Sequence, residues 1–223
     1  MRLSIVVPAL NEAAGIVATL QALAPLRALG HELIVVDGGS HDATTTLAAP
    51  LADRVVSSER GRAAQMNAGA ALAQGEALLF LHADTRLPPD AEAALQGALR
   101  QGAAWGRFDV CIEGRSAWLP VIATLMNWRS RLTGIATGDQ ALFVTTALFR
   151  REGGYAALPL MEDIELSRRL RALSPPACLH ERVLTSGRRW ESRGVWRTIL
   201  LMWRLRWRYW RGTPADELAR AYR

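Results

Sequence analysis

From the amino terminus to Leu81, short runs of β-branched and aliphatic residues alternate with alanine- and leucine-rich stretches. Residues 4–7, 32–36, 54–57 and 77–81 read as strands, and the stretches 13–29, 42–49 and 62–73 carry helical spacing. Strands joined through helices must be joined by crossovers, so the pattern predicts an α/β fold: a mostly parallel sheet with helices on both faces. Beyond residue 100 the rhythm changes. Residues 105–112 alternate like an antiparallel strand, 116–132 read as an apolar helix, 140–144 as a short strand and 162–173 as a helix. No repeat, low-complexity tract or flexible linker divides the chain. The reading is one domain in two lobes, with a nucleotide-binding half at 1–85, an acceptor and catalytic half at 86–190, and carboxyl-terminal helices at 191–223.

Sheets of this kind bind ligands at the carboxyl ends of their strands. The residues after the predicted strands are polar: Pro8-Ala9-Leu10-Asn11-Glu12, then Asp37-Gly38-Gly39-Ser40, then His82-Ala83-Asp84-Thr85. Carboxylates at three exits that share one edge define a candidate site.

Composition narrows the chemistry. The 223 residues are 50% hydrophobic and 22% charged, the balance of an ordinary folded globule. All 27 basic residues are arginines, which excludes a lysine nucleophile, a Schiff base and the P-loop lysine. Arginine suits phosphate, which it grips with a planar fork of donors. Cys111 and Cys178 have no metal-ligand or disulfide-framework spacing. The first residues read as a buried strand, and no uncharged apolar run reaches the roughly 18–20 residues that span a bilayer, so a cytoplasmic protein is expected.

Each candidate position carries a structural reading beside the chemical one. The first exit lacks the glycines of a dinucleotide fingerprint, which disfavours nicotinamide and flavin enzymes. Asn11 and Glu12 there also suit a helix N-cap and a first-turn acid. Asp37 could accept from a base N–H or a ribose hydroxyl, with Gly39 allowing close backbone approach, or simply hold a turn. The segment 61–69 opens a helix whose free N–H groups and Arg62 suit a diphosphate; Gln65 and Asn67 are either ligand contacts or solvent-facing positions. On an extended strand His82 and Asp84 would share one side, and oxygen ligands with an imidazole suit Mg²⁺ or Mn²⁺. Glu162 and Asp163 stabilise a helix start in any case, and one of them could act as general base beside a metal. Arg188, Arg189 and Trp190 could neutralise a leaving diphosphate and stack on a ring.

The whole series in order, 6–12, 36–42, 61–69, 82–84, 162–163 and 188–190, resembles glycosyltransferase family 2. Within it the chain looks most like the radical-SAM/selenodomain-associated, arsenosugar-biosynthesis-like transferases. The resemblance implies a GT-A fold, a nucleotide-diphosphate sugar as donor, a divalent cation (Mn²⁺ or Mg²⁺) and inversion at the anomeric carbon. By position, Pro8, Asn11 and Glu12 fall in the first donor-binding block. Asp37 would contact the base, Asp84 would be the metal-binding last acid of the DxD motif and Asp163 the catalytic base. Arg189 and Trp190 would end the QxxRW motif. His82 stands in place of the first DxD acid and Ser186 in place of the glutamine. Asp37, Asp84 and Asp163 are expected to meet in one pocket.

Toward the carboxyl terminus, Trp196, Ile199, Leu200, Trp203, Trp207 and Trp210 form a helical stripe beside Arg197, Arg204, Arg208 and Arg211. This helix either packs on the domain with its arginines snorkelling outward, or lies in a membrane interface through residues 195–211 on the cytoplasmic face, which suits a lipid-linked acceptor. No groove-reading motif accompanies the patch, so nucleic acid is not an expected partner. The competing functional readings are a nucleotide-sugar-binding or membrane-peripheral module impaired by the His82 change, and a nucleotidyltransferase, which the missing glycine-rich opening and lysine disfavour.

Overall fold

The computed structural model describes residues 1–222. Its first half follows the hydrophobic rhythm. Strand β1 (Leu3–Ala9) is followed by helices α1 (Ile16–Ala22) and α2 (Ala24–Ala28), then β2 (Glu32–Asp37), α3 (Thr44–Ala48), β3 (Arg54–Ser57), α4 (Arg62–Leu72) and β4 (Ala77–Phe80). The helix expected over 13–29 starts later and splits in two. Pro25, which has no N–H to continue a helical ladder, sits in the first turn of α2. Asn11 and Glu12 therefore lie in a loop rather than at a helix start, and Gly15 occupies the N-cap of α1.

The second half contains β5 (Thr85–Arg86), α5 (Ala91–Arg100), β6 (Trp105–Glu113), α6 (Leu119–Thr133), a 3₁₀ turn at Gly138–Gln140, β7 (Phe143–Thr145) and α7 (Thr146–Arg151). It ends with α8 (Glu162–Leu173), β8 (Ala177–Ser186), α9 (Arg188–Arg193), α10 (Val195–Trp210) and α11 (Ala215–Tyr222). Among the described residues the eight strands form one sheet, in the order β3-β2-β1-β4-β7-β6-β8-β5. Strands β3, β2, β1 and β4 run parallel, as expected. Strand β6 is antiparallel to β7 but parallel to β8, so the antiparallel expectation for 105–112 holds on one edge only.

Period-two alternation distributes the parallel strands between two cores. Ile5 and Val7 of β1, Leu33 and Val35 of β2, and Leu79 of β4 pack on one face. Val6, Ile34, Val36, Leu78 and Phe80 pack on the other, against α4. Gly69 sets how closely α4 approaches: a Cβ there would stand 2.4 Å from Val6 Cγ1 and 3.0 Å from Val36 Cγ2. The close fit brings the amino end of α4 up to the exits of β1 and β2.

Candidate active site

Two cavities lie side by side along the carboxyl edge of the parallel strands. The smaller, about 300 Å³, is walled by Pro8, Glu12, Gly61, Gln65 and neighbouring residues. The larger, about 650 Å³, extends between α6, α8 and α10 and includes Asp139, Glu162, Asp163, Arg189 and Trp190 in its walls. Arg62, His82 and Asp84 belong to both, so these three side chains stand where the cavities join.

The exit of β4 is a turn, not the extended strand expected for 82–84. Thr85 N–H donates to the His82 carbonyl at 3.0 Å, closing the turn, and Thr19 Oγ1 donates to the Ala83 carbonyl at 2.6 Å, anchoring it. The turn nonetheless delivers both side chains to the junction. His82 Nδ1 lies 3.4 Å from Asp139 Oδ1. Burial pushes the Asp139 carboxyl up, but the hydrogen bond and charge of His82, with Arg62 and Arg189 nearby, outweigh it and hold the group down at about 2. Asp139 is thus a carboxylate at neutral pH, placed beside the imidazole that stands where an acid was expected. The adjoining Gly138 leaves room for this pair, because a Cβ there would stand 2.4 Å from His82 Nε2.

Gly138 also connects the pair to α8. Its N–H donates to Asp163 Oδ2 at 2.9 Å, which fixes that carboxylate at the cavity wall. The chain enters α8 through Met161, whose φ of +70° is costly for a side chain with a Cβ. Glu162, 5% exposed, is held above its ordinary range by burial first and by the charge of Asp163 second; Arg62 and His82 pull the other way.

Arg188 reaches across the junction, with Nη2 3.2 Å from Glu12 Oε2 and 3.8 Å from Asp84 Oδ2. The Arg189 guanidinium lies 3.8 Å from the centre of the Tyr222 ring and donates to its hydroxyl. Burial and the like charges of Arg193 and Arg62 push its pKa down to about 10.

Other expected positions serve the frame. Gln65 is buried rather than solvent-facing; its Nε2 donates to the carbonyls of Ala9 (2.8 Å) and Val36 (2.9 Å), tying together the exits of β1 and β2. Asn67 exchanges hydrogen bonds with the backbone of Tyr155. Asp37, 4% exposed, accepts from the N–H groups of Gly39 and Ser40. Asn11, at φ +53°, accepts from His41 N–H and holds the same loop. Among the described residues, Asn11, Asp37, Gly39 and Asn67 form no part of either cavity wall, so Asp84 and Asp163 share the larger cavity without Asp37.

Sequence reasoning did not assign Arg129 of α6 and Arg206 of α10, which face each other's charge in the larger cavity. Burial and the proximity of Arg206 push the Arg129 pKa down to about 10, so it stays charged at neutral pH. The signal available was a lone arginine in an otherwise apolar helical stripe.

Comparison with known proteins agrees with this architecture. The sequence profile described as Glycosyl transferase family 2 matches residues 4–153. A PGL/p-HBAD biosynthesis glycosyltransferase of Mycobacterium bovis (strain BCG / Pasteur 1173P2) is 42% identical over 91 residues, which is 38% of this chain and 36% of that protein. The chain thus matches only about a third of that relative's length. Among solved structures, S. aureus TarS 1-349 in complex with UDP superposes with a TM-score of 0.67 at 20% identity, covering 83% of this chain and 60% of that one. Mannosyltransferase PcManGT from Pyrobaculum calidifontis, in complex with GDP-Man and Mn²⁺, gives 0.63 at 22% identity, over 82% and 56%. Glucosyl-3-phosphoglycerate synthase from Mycobacterium tuberculosis, with Mn²⁺, UDP and glucosyl-3-phosphoglycerate, gives 0.60 at 25% identity, over 81% and 70%. The fold is the GT-A fold of nucleotide-sugar transferases. The chain belongs to glycosyltransferase family 2.

Proposed function

We propose that this chain is an inverting, divalent-cation-dependent glycosyltransferase that moves a sugar from a nucleotide-diphosphate donor to the hydroxyl of a small-molecule or lipid-linked acceptor. The observation that carries the reading is the junction. One cavity at the strand exits suits a nucleotide, a second holds Asp163, and Arg62, His82 and Asp84 stand between them, where a diphosphate bridging the two would lie. The solved neighbours described as complexes with UDP, UDP-GlcNAc or GDP-Man support the donor class. The narrower arsenosugar-like placement rests on motif order alone, and the reading of residues 1–223 as a single GT-A domain rests on the resemblance and on a sequence that no linker or repeat divides.

The donor set at the junction fits Mn²⁺ or Mg²⁺. Among the described residues no three His, Cys, Asp or Glu side chains converge as a self-sufficient metal cage. Cations that act on phosphates need only one or two protein carboxylates, the remaining ligands being phosphate oxygens and water. Asp84 would hold the ion, with Asp139 beside His82 as a second carboxylate. When bound, the ion supplies positive charge against the diphosphate. In transfer, Asp163 accepts the proton of the acceptor hydroxyl as that oxygen forms its bond to the anomeric carbon. The bond from that carbon to the diphosphate oxygen breaks on the opposite side, inverting the centre. Arg188 and Arg189 stabilise the charge gathering on the departing nucleoside diphosphate. Trp190, in the same wall, offers a face for the sugar ring.

The test is calorimetry with UDP-, GDP- and dTDP-sugars, with and without Mn²⁺, on the parent chain and Asp84→Ala, followed by donor turnover. Cation-dependent affinity that Asp84→Ala abolishes, together with donor turnover, supports a transferase. Affinity indifferent to both the cation and Asp84 sinks the metal assignment; binding without turnover across an acceptor panel identifies a binding module.

A further inference from the structure

The larger cavity has a feature that donor chemistry leaves unused. Its walls toward α6 and α10 are apolar, built from Ile122, Met126, Ile199 and Met202, yet two guanidinium groups are embedded in them. Arg129 Nε and Nη2 are buried with no hydrogen-bond partner. Arg206 makes no hydrogen bond or ion pair among the described residues, and only the more distant charges of Asp163 and Asp139 offset its own. The unmet donors of Arg129, set beside the second positive charge of Arg206, are expensive unless an anion completes them.

The mouth of the cavity points to where that anion comes from. Leu125, Trp128 and Leu132 of α6 and Trp203 of α10 line it and are also 59–69% exposed. The rim continues outward along α10 as Trp196, Leu200, Trp207 and Trp210, all at least 58% exposed. Trp118 and Trp196 meet edge to face with ring centres 4.9 Å apart, joining the two stripes into one apolar face. Neither α6 nor α10 contains an acidic residue, and Arg197 and Arg204 are exposed beside the tryptophans. Tryptophan and arginine on an acid-free amphipathic surface complement the interface of an anionic bilayer.

We propose that the face formed by α6 and α10 seats on an anionic bilayer, and that the cavity between these helices takes from it an amphiphilic acceptor bearing an anionic group, which Arg129 and Arg206 bind. This deepens the transferase reading and rests on it: the acceptor's apolar chain lies between α6 and α10, its anion meets the two arginines, and its hydroxyl faces Asp163.

The test uses the full chain and involves neither donor nor turnover. Monododecyl phosphate below its micellar concentration is titrated by calorimetry, against inorganic phosphate (charge without chain) and 1-lauroylglycerol (chain without charge). We expect the dodecyl phosphate to bind at least about 100-fold more tightly than inorganic phosphate and about 10-fold more tightly than lauroylglycerol. Arg129→Gln and Arg206→Gln, checked for folding by circular dichroism, should each weaken it about 10- to 100-fold. Equal affinity for inorganic phosphate means a water-soluble anion and overturns the lipid assignment; equal affinity for lauroylglycerol, or arginine variants that bind like the parent, overturns the anion assignment. In a second arm, flotation with phosphatidylcholine vesicles should leave the chain in solution, and 30% phosphatidylglycerol should capture it. Trp207→Glu/Trp210→Glu lies on the open surface and should lose that capture. Undiminished capture, or self-association through this face in sedimentation in place of capture, overturns the bilayer docking. UDP binding with Mn²⁺ is measured separately: its absence beside intact dodecyl phosphate binding would defeat the transferase reading alone.

Discussion

Gln65 tests whether the donor cavity is held open by a single buried amide. Replacing it with methionine keeps the length and volume of the side chain and removes its polar head. Two strand-end carbonyls, Ala9 and Val36, then each lose a donor, at 2.8 and 2.9 Å, while Ala9 keeps the Gly38 N–H at 3.0 Å. Each such bond contributes a net of about 1 kcal/mol, and the Ala9 carbonyl, still paired with Gly38, carries no further penalty. The methionine returns part of this through apolar contact, since the site is 4% exposed. The expected loss is about 1–2 kcal/mol, and for a chain of this size that lowers the melting temperature by about 3–6 °C. Gln65→Glu should do worse, because it points a carboxylate at two carbonyl oxygens and buries a charge. Thermal unfolding followed by circular dichroism reads both variants. If Gln65→Met melts within about 2 °C of the parent, or Gln65→Glu is the milder change, the exits of β1 and β2 are held by something other than this amide.

Asp163→Asn keeps an oxygen for the Gly138 N–H but cannot take a proton; transfer should fall about 10²- to 10⁴-fold while UDP affinity by calorimetry stays the same. Glu162 has a raised pKa in the folded chain, so its ionisation opposes folding. Glu162→Gln should therefore raise the melting temperature at neutral pH, and the gain should vanish below the ordinary value of 4.5, where folded and unfolded chains are both protonated; fluorimetric melts from pH 4 to 8 test the sign. Gly138→Ala places a methyl against His82 and should cut donor turnover about 10- to 100-fold, read in the same assay as Asp163→Asn.

The parallel half of the sheet was legible because its strands are buried on both faces and read as unbroken aliphatic runs. The rest depends on partners that a linear pattern does not carry. Strand β8 has His180, Glu181 and Arg182 at its middle, which looks like a loop. In the structure the pairing with β6 jumps from Cys178 opposite Arg107 to Arg182 opposite Asp109, so the polar stretch bulges out of the ladder. Helix α5 follows Pro88 and Pro89, whose turn signal overshadows the spacing of Ala91 and Leu95, the residues it buries. At the site, His82, Asp84 and Asp163 were legible as chemistry, but the partnership of His82 with Asp139 joins residues 57 positions apart. Gln65 and Asn67 have the composition of ligand contacts; only the fold shows that their amides are spent on backbone. The carboxyl-terminal stripe was legible as amphipathic, and its division was not: Thr198 and Leu205 face inward, Ile199 is half-buried, and the tryptophans stay outside.

The charges around the larger cavity tie these observations to the reaction. Four arginines (62, 129, 189 and 206) face four carboxylates (Asp84, Asp139, Glu162 and Asp163). Without ligands the walls are near balance, apart from His82 and whatever proton Glu162 retains. A nucleotide-diphosphate sugar carries two negative charges on its phosphates, so entering with a divalent cation it would leave that balance intact and ask little electrostatic rearrangement at the junction. The anionic acceptor proposed above would add negative charge at the end where Arg129 Nε and Nη2 lack a hydrogen-bond partner. Met161 enters α8 at a φ of +70° and the Gly138 N–H donates to Asp163 Oδ2 at 2.9 Å, so Glu162 and Asp163 stand at the cavity wall without any ligand to place them.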